Sequence, residues 1–364
     1  MGEGESASVS ARLRQRIHAV MREQGGWLPF DRFMALALYE PGLGYYAHDG
    51  LKFGAMPASG SDFVTAPEMS PLFGRALAVQ VAQALQATGS GQVWEFGAGS
   101  GALASQLLAA LGGQITGYHV VELSAALRAR QAQRLQPWAG RLHWHDRLPG
   151  RIDGVVVGNE VLDAMPVQLL HWDGSRWLER GVAAAGAGFV WQDRPTPLRP
   201  PPHQAVPGAV VEIHPQAEAF VRTLAERMGR AAAFFIDYGF PEAEYYHPQR
   251  SGGTLMCHRA HRADTDPLAD VGLKDITAHV NFSGIALAAQ DAGLDVLGYT
   301  SQARFLINCG LPALLHEAPL RESVAAQRLM HEHEMGELFK VLGLARGIEL
   351  DALGFRSGDR SHRL

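Results

Sequence analysis

Cysteine is scarce: Cys257 and Cys309 are the only two in 364 residues, and they form no C-x-x-C pair. A disulfide framework or a zinc ribbon is thereby excluded, and two reduced, buried thiols are expected. Long apolar runs are missing too. None approaches the ~20 residues that span a bilayer, so no membrane insertion is expected. There is no excess of positive charge: 32 basic residues face 37 acidic ones, for a net charge of −5. That balance gives no electrostatic footprint for nucleic acid. Met1–Ser6 carries no basic stretch leading into an apolar core, so no secretory signal is expected and a cytoplasmic location is. What remains is a chain with 47% hydrophobic and 19% charged residues, the composition of a globular enzyme.

Periodicity then organises the chain. Leu13, Ile17, Val20 and Met21 fall at helical spacing, and a second apolar run holds Phe30, Phe33, Met34 and Leu36–Leu38. Pro41-Gly42-Leu43-Gly44 ends it, and a long Gly/Ser/Pro-rich loop follows to about residue 71. A helix is predicted over Ser70–Gln86. Strands and helices then alternate: Val93–Phe96, Leu103–Leu111, Gly117–Glu122, Ser124–Leu135 with Ser124 as its cap, Leu142–Trp144 and Gly154–Gly158. The last run is continuously apolar, as a central parallel strand should be. Leu169–Arg180 reads as a hairpin about Asp173-Gly174, with Phe189–Trp191 in the same small sheet. Six prolines between 195 and 207 make an extended crossing. Beyond it, Glu218–Met228 is helical, Ala231–Asp237 is a strand, Phe282–Ala292 is helical, residues 294–298 form a late strand, and Ser323–Leu342 reads as a helix. The fold class is α/β.

The chemistry concentrates where strands end. Glu95-Phe96-Gly97-Ala98-Gly99-Ser100-Gly101 lies between a strand and a helix, a nucleotide-cofactor turn. Gly97, Gly99 and Ala102 also satisfy the dinucleotide fingerprint, so NAD stays open on the glycines alone. Glu95 favours S-adenosylmethionine, whose amino group and sulfonium are cationic, over a pyrophosphate. Glu122 closes the second strand, where a carboxylate can accept the ribose hydroxyls. Asp146 follows the third strand and can take the adenine amino group, or remain a solvated carboxylate beside Arg147. Thr65 and Glu68, in Asp62–Ser70, line the cofactor pocket or cap the helix that follows. Asn159-Glu160-Val161-Leu162-Asp163 begins at the end of the fourth strand, on the ligand side of a parallel sheet. Two carboxylates there suit a guanidinium, whose fork matches their oxygens, and they would position the acceptor nitrogen. The bland alternative is a capped helix start. Asp237-Tyr238 ends the fifth strand on the same side, and His279, a lone histidine, reads as structural ahead of catalytic. His331 and His333 leave opposite sides of a helix and no H-E-x-x-H is present, so no metal is expected.

Several segments together resemble the MidA-like methyltransferases, a family that includes the mitochondrial arginine methyltransferase of respiratory complex I assembly. They are Tyr39–Tyr46, Asp62–Glu68, Glu95–Gly101, Asn159-Glu160-x-x-Asp163-Ala164-x-Pro166, Asp237–Gly239, Gly253–Leu255, Asp275–Val280 and Phe339–Leu342. Asn281, Met256 and His258 depart from the pattern. The resemblance implies a class I methyltransferase fold: a Rossmann-like, mostly parallel sheet with helices on both faces, an N-terminal helical extension and a small inserted β/Pro-rich subdomain. The expected organisation is N-terminal helices and a cofactor-covering loop in 1–90, the first half of the core in 91–168, an inserted hairpin and Pro-rich segment in 169–210, and the second half with added helices in 211–364. The resemblance further implies S-adenosylmethionine as cofactor, S-adenosylhomocysteine as product, and arginine of a complex I 49-kDa-type subunit as acceptor. A non-catalytic factor that binds such a subunit is the competing expectation.

Overall fold

Alternation along the strands decides which side of the molecule each helix covers. In the computed structural model, which describes residues 3–47, 64–259 and 262–364, Val93 of one central strand packs with Leu72, Leu77, Leu103 and Leu107, while its neighbour Trp94 packs on the opposite face, in the cluster of Val221, Leu224 and Ile285. Successive side chains of a strand point to opposite faces, so the sheet has helices on both.

In chain order the first elements are α1 (Glu3–Glu23), β1 (Trp27–Pro29), α2 (Phe30–Tyr39), α3 (Ala66–Met69) and α4 (Pro71–Thr88). The alternating core follows: β2 (Gln92–Phe96), α5 (Ala102–Leu111), β3 (Gly117–Val121), α6 (Ala125–Arg134), β4 (Leu142–His145) and β5 (Ile152–Asn159). A second group comprises β6 (Gln168–Trp172), β7 (Trp177–Ala185), β8 (Gly188–Pro195) and β9 (Val210–Ile213). The chain then returns to the core with α7 (Pro215–Arg227), β10 (Met228–Phe240) and α8 (Glu242–Tyr245). Next come β11 (Met256–Arg259), β12 (Arg262–Asp264), β13 (Asp275–Thr277), β14 (Val280–Asn281), α9 (Phe282–Asp291) and β15 (Asp295–Ser301). The last elements are α10 (Gln302–Asn308), α11 (Leu311–Glu317), α12 (Leu320–Gln327), α13 (Met335–Leu338) and β16 (Phe339–Arg346).

The main sheet runs β15-β16-β10-β5-β2-β3-β4, with β14 beside β10. From β10 to β4 every pairing is parallel; only β16 is antiparallel to both neighbours. This is the class I methyltransferase arrangement. The order reverses between β2 and β5, the crevice where open α/β sheets take ligands.

Pro71 at the first helical turn and the Ser70 hydroxyl, accepting from Leu72 N, start α4. Ser124 accepts from Leu127 N and starts α6, as its place before an amphipathic run predicts. Asn281 caps α9 by accepting from Gly284 N; an aspartate would do the same, so that departure from the family pattern leaves the helix start intact.

A second, wholly antiparallel sheet has the order β1-β7-β6-β9, with β8 on β7. The N-terminal helices close over it: Leu13, Ile17, Phe30 and Phe33 are fully buried with Leu169 and Val182. Each such side chain gains about 1.5–3 kcal/mol on leaving water. Cys257 and Cys309 are both buried and unpaired. Among the described residues no helix is long and apolar enough to cross a membrane.

One expected element is overturned. Ser323–Leu342 is not one helix: α12 stops at Gln327, α13 has one turn, and Phe339–Arg346 is a strand buried between β10 and β15. Its near-continuous apolar run satisfies either period, and the open slot between two strands decides for the strand. Asp62 and Phe63, and most of the loop expected to cover the cofactor, lie outside the described residues.

Candidate active site

A cavity of about 1740 Å³ opens at the C-terminal ends of β2, β3 and β5. The glycine turn forms one side. Gly97, Gly99 and Gly101 have φ of 63°, 53° and 81°, left-handed values that an L side chain rarely adopts. A Cβ on Gly97 would also lie 3.1 Å from Val161 Cγ2. The turn is thereby open to a ligand that must approach backbone closely.

Carboxylates surround the turn. Glu95 is 3% exposed and accepts from the Tyr118 hydroxyl at 2.6 Å. Burial pushes its pKa up to about 7. Glu122 accepts from Ser124 N at 2.9 Å and from Gln131 Nε2 at 3.2 Å, and Gln131 also donates to the Gly99 carbonyl. Glu68, on α3, pairs with Arg134 at 2.7 Å and accepts from the Ser100 hydroxyl, which ties α3 to the glycine turn. Thr65 lines the cavity and makes no side-chain cap. Asp146 does not line it; the carboxylate is exposed, and Arg147 and Leu148 line the wall instead.

The opposite side is built at the end of β5. No helix starts after Asn159; the chain bends and turns, and so the helix-start alternative falls. Glu160 has φ 55° and its N–H donates to Ile236 O at 2.9 Å. The loop is gathered on Asp237. Its Oδ2 accepts from the N–H groups of Val161, Leu162 and Asp163 at 3.1, 2.9 and 3.2 Å, and its Oδ1 accepts from Tyr238 N. Burial and the nearby Asp163 and Glu160 raise the Asp237 pKa, while the loop N–H donors pull it down.

Asn159 Nδ2 donates to Glu160 Oε1 at 3.0 Å, and Tyr238 donates its hydroxyl to Asp163 Oδ2. Burial, then repulsion from Asp163, lifts Glu160 to about 8. Burial lifts Asp163 to about 6 against the pull of the Tyr238 hydroxyl. Asn159 Oδ1 and Asp163 Oδ1 are buried acceptors with no hydrogen-bond partner among the described residues. Such orphans are uncommon in native interiors and call for a donor.

Aromatic residues wall this end. Tyr39 donates to Ala164 O and Tyr46 to Asp275 Oδ1, both at 2.8 Å, and their rings stack with centroids 5.6 Å apart. His279 lies edge-on to Tyr238. Burial, with Arg250 and Lys340 nearby, takes its pKa down to about 4, so the imidazole is neutral. Met256 and His258 line the same cavity.

One cavity therefore gathers Thr65, Glu68, Glu95, Gly97, Gly99, Glu122, Asn159, Glu160 and Asp163, with Gly101 set between the lining residues Ser100 and Ala102. Sequence reasoning passed over Tyr118, Tyr39, Tyr46 and Asp275. The last three lie in segments that carried the family resemblance, the one signal available for them. Among the described residues no group of three or more His, Cys, Asp or Glu could hold a metal ion.

Comparison with known proteins agrees with this architecture. Residues 76–300 match the family Methyltransf_28, described as S-adenosyl-L-methionine-dependent methyltransferase. A crystal structure of a Burkholderia thailandensis protein bound to S-adenosyl-homocysteine superposes with a TM-score of 0.96; it is 49% identical, over 100% of this chain and 99% of that one. A native crystal structure from the same organism gives 0.92 at 48% identity, over 100% and 99%. The Drosophila melanogaster homologue of mitochondrial protein arginine methyltransferase NDUFAF7 is 27% identical over 95% of this chain and 86% of its own length. The Homo sapiens protein of that name is 25% identical over 92% and 83%.

Proposed function

Because the chain belongs to the MidA-like S-adenosyl-L-methionine-dependent methyltransferases, we propose that its acceptor is an arginine nitrogen of a protein. S-adenosylmethionine is its cofactor and S-adenosylhomocysteine its product. The arginine reading is carried by one observation: among the described residues, buried Asn159 Oδ1 and Asp163 Oδ1 find no donor, in a pocket that also holds Glu160 and Asp275. A guanidinium offers five N–H donors in a rigid fork and one positive charge. The names of the NDUFAF7 relatives point the same way.

The residues fit the cofactor. Glu95 would hold the amino group, Glu122 the ribose hydroxyls, and the Gly97–Gly101 turn would admit the methionine part, with Thr65 and Glu68 above it. Asp146, exposed and outside the cavity lining, has no part in this assignment. The cofactor supplies an electrophilic methyl group on a sulfonium. Glu160 and Asp163 would orient the guanidinium so that one terminal nitrogen presents its face to the cofactor side, its electron pair freed for attack as its proton is lost, and positioning of this kind supplies much of a two-substrate rate. Glu160, with its pKa near neutrality, is suited to take the proton that the nitrogen loses as it is alkylated. Tyr39, Tyr46 and Tyr238 would exclude water from the charged pair.

A 49-kDa-type complex I subunit is the first acceptor to test. Purified protein with tritium-labelled cofactor should label this subunit, and mass spectrometry should find methylarginine. Glu160→Gln and Asp163→Asn should abolish labelling. Label found only on other residue types, or undiminished in both variants, would sink the arginine reading.

A further inference from the structure

The acceptor side of the cavity continues past Asp163 onto a basic rim. Tyr238, whose hydroxyl bonds Asp163, packs edge-on against Phe339 with ring centroids 5.3 Å apart. Phe339 follows directly on α13, whose Met335 and Leu338 also line the cavity. Glu334, just before α13, accepts from Arg328 Nε at 3.0 Å. Arg328 follows α12, and Arg321, Ala325 and Arg328 all line the cavity. Their spacing of four and three places them on one helical face. Leu320 and Val324, on the adjoining face, are 80% and 54% exposed.

Charge along this wall is therefore divided. The floor carries Glu160, Asp163 and Asp275, and the rim carries Arg321 and Arg328. Arg328 is half engaged by Glu334, whereas the exposed Arg321 makes no ion pair among the described residues. A peptide chain entering with a cationic side chain on the floor passes the rim with its neighbouring residues. Juxtaposed like charges are costly at an interface and opposite charges are steered together.

We propose that the α12 rim selects an extended protein segment that carries an aspartate or glutamate close to the target arginine, Arg321 taking that carboxylate. The inference rests on the arginine reading and adds the sequence around the arginine. Leu320 and Val324 give the same segment an apolar contact outside the cavity.

The test uses the full chain and three short synthetic peptides that differ only beside the arginine: acid-flanked, amide-flanked and lysine-flanked. The wild-type protein should favour the acid-flanked over the lysine-flanked peptide by about tenfold or more in kcat/KM, mostly through KM. Arg321→Glu should reverse the order. A variant that gains lysine-flanked turnover is folded, so a collapse of structure cannot mimic the result. An unchanged order in Arg321→Glu, or a wild-type preference for lysine flanks, overturns the inference. So does loss of S-adenosylhomocysteine affinity in Arg321→Glu with peptide order unchanged, which would assign the rim to the cofactor. Peptides with lysine in place of the target arginine separate the two readings: equal methylation of these removes arginine specificity, while the flank order still decides the rim. If no peptide is methylated, fluorescence anisotropy of labelled peptides on the S-adenosylhomocysteine-loaded protein reads the same order.

Discussion

At Glu160 two unfavourable features coincide. The backbone is left-handed, which costs a non-glycine residue about 1–2 kcal/mol, and the carboxyl is lifted to about 8 by burial and by Asp163. Strain and desolvation at one residue mark a position kept for chemistry rather than for stability. The pH consequence follows from the sign. An acid whose pKa is raised on folding binds more protons in the folded state between its unfolded value, near 4.5, and about 8. Stability is therefore lost as pH rises through that window. Glu160→Gln should raise Tm by roughly 2 °C at alkaline pH and hardly at all near pH 5, while abolishing methyl transfer. Thermal melts of both proteins across pH check this; a variant that melts lower at every pH contradicts it. In the wild type, log kcat/KM should rise as Asp163 and then Glu160 ionise, between about 6 and about 8. A profile flat across that interval would show that neither carboxylate need be charged.

The elements explain what holds those residues. The loop after β5 has no helix to pair its N–H groups, and Asp237 at the end of β10 accepts three of them. Asp237→Ala should cost about 3 kcal/mol in denaturant unfolding, since buried donors lose their acceptor, and should disable transfer while S-adenosylhomocysteine still binds. The glycine turn predicts the converse. Gly97→Ala places a Cβ at positive φ beside Val161, and calorimetry should find S-adenosylhomocysteine affinity about tenfold weaker or worse. Undiminished affinity would mean the turn does not touch the cofactor. This contrast also marks what the sequence could tell. The glycine turn was legible because its requirement is local: positive φ at fixed spacing between a strand and a helix. Asn159, Glu160 and Asp163 were legible by their place after a fully apolar strand. Asp237's grip on residues some 75 positions away was not legible, nor was Tyr118's bond to Glu95, because both are made by sheet register. Phe339–Arg346 was misread for the same reason, since its partners β10 and β15 lie far back in the chain.

On the scale of the whole molecule, the second sheet meets the acceptor side in an apolar cluster of Leu169 and Val182 with Ile276 and Ala278 and, beside it, through a buried carboxyl. Glu212, on β9, is 1% exposed. It accepts from Thr254 N at 2.7 Å, Leu255 N at 3.1 Å and the Tyr245 hydroxyl at 2.9 Å. Thr254 Oγ1 in turn accepts from His279 N at 3.0 Å, and His279 packs on Tyr238 beside Asp163. Among the described residues the cofactor side has no share in this chain of contacts: Glu95, Glu122 and Glu68 bond Tyr118, Ser124, Gln131, Ser100 and Arg134. Glu212→Leu strands two buried N–H groups and should cost about 2–4 kcal/mol of stability. Its functional effect should be one-sided. S-adenosylhomocysteine affinity should stay within about twofold of wild type, while KM for the protein acceptor rises by about tenfold or more. Calorimetry and steady-state kinetics on the folded variant, below its lowered Tm, separate the two quantities. Cofactor affinity falling in step with acceptor affinity would mean that the inserted sheet supports the cavity as one body and not its acceptor side alone.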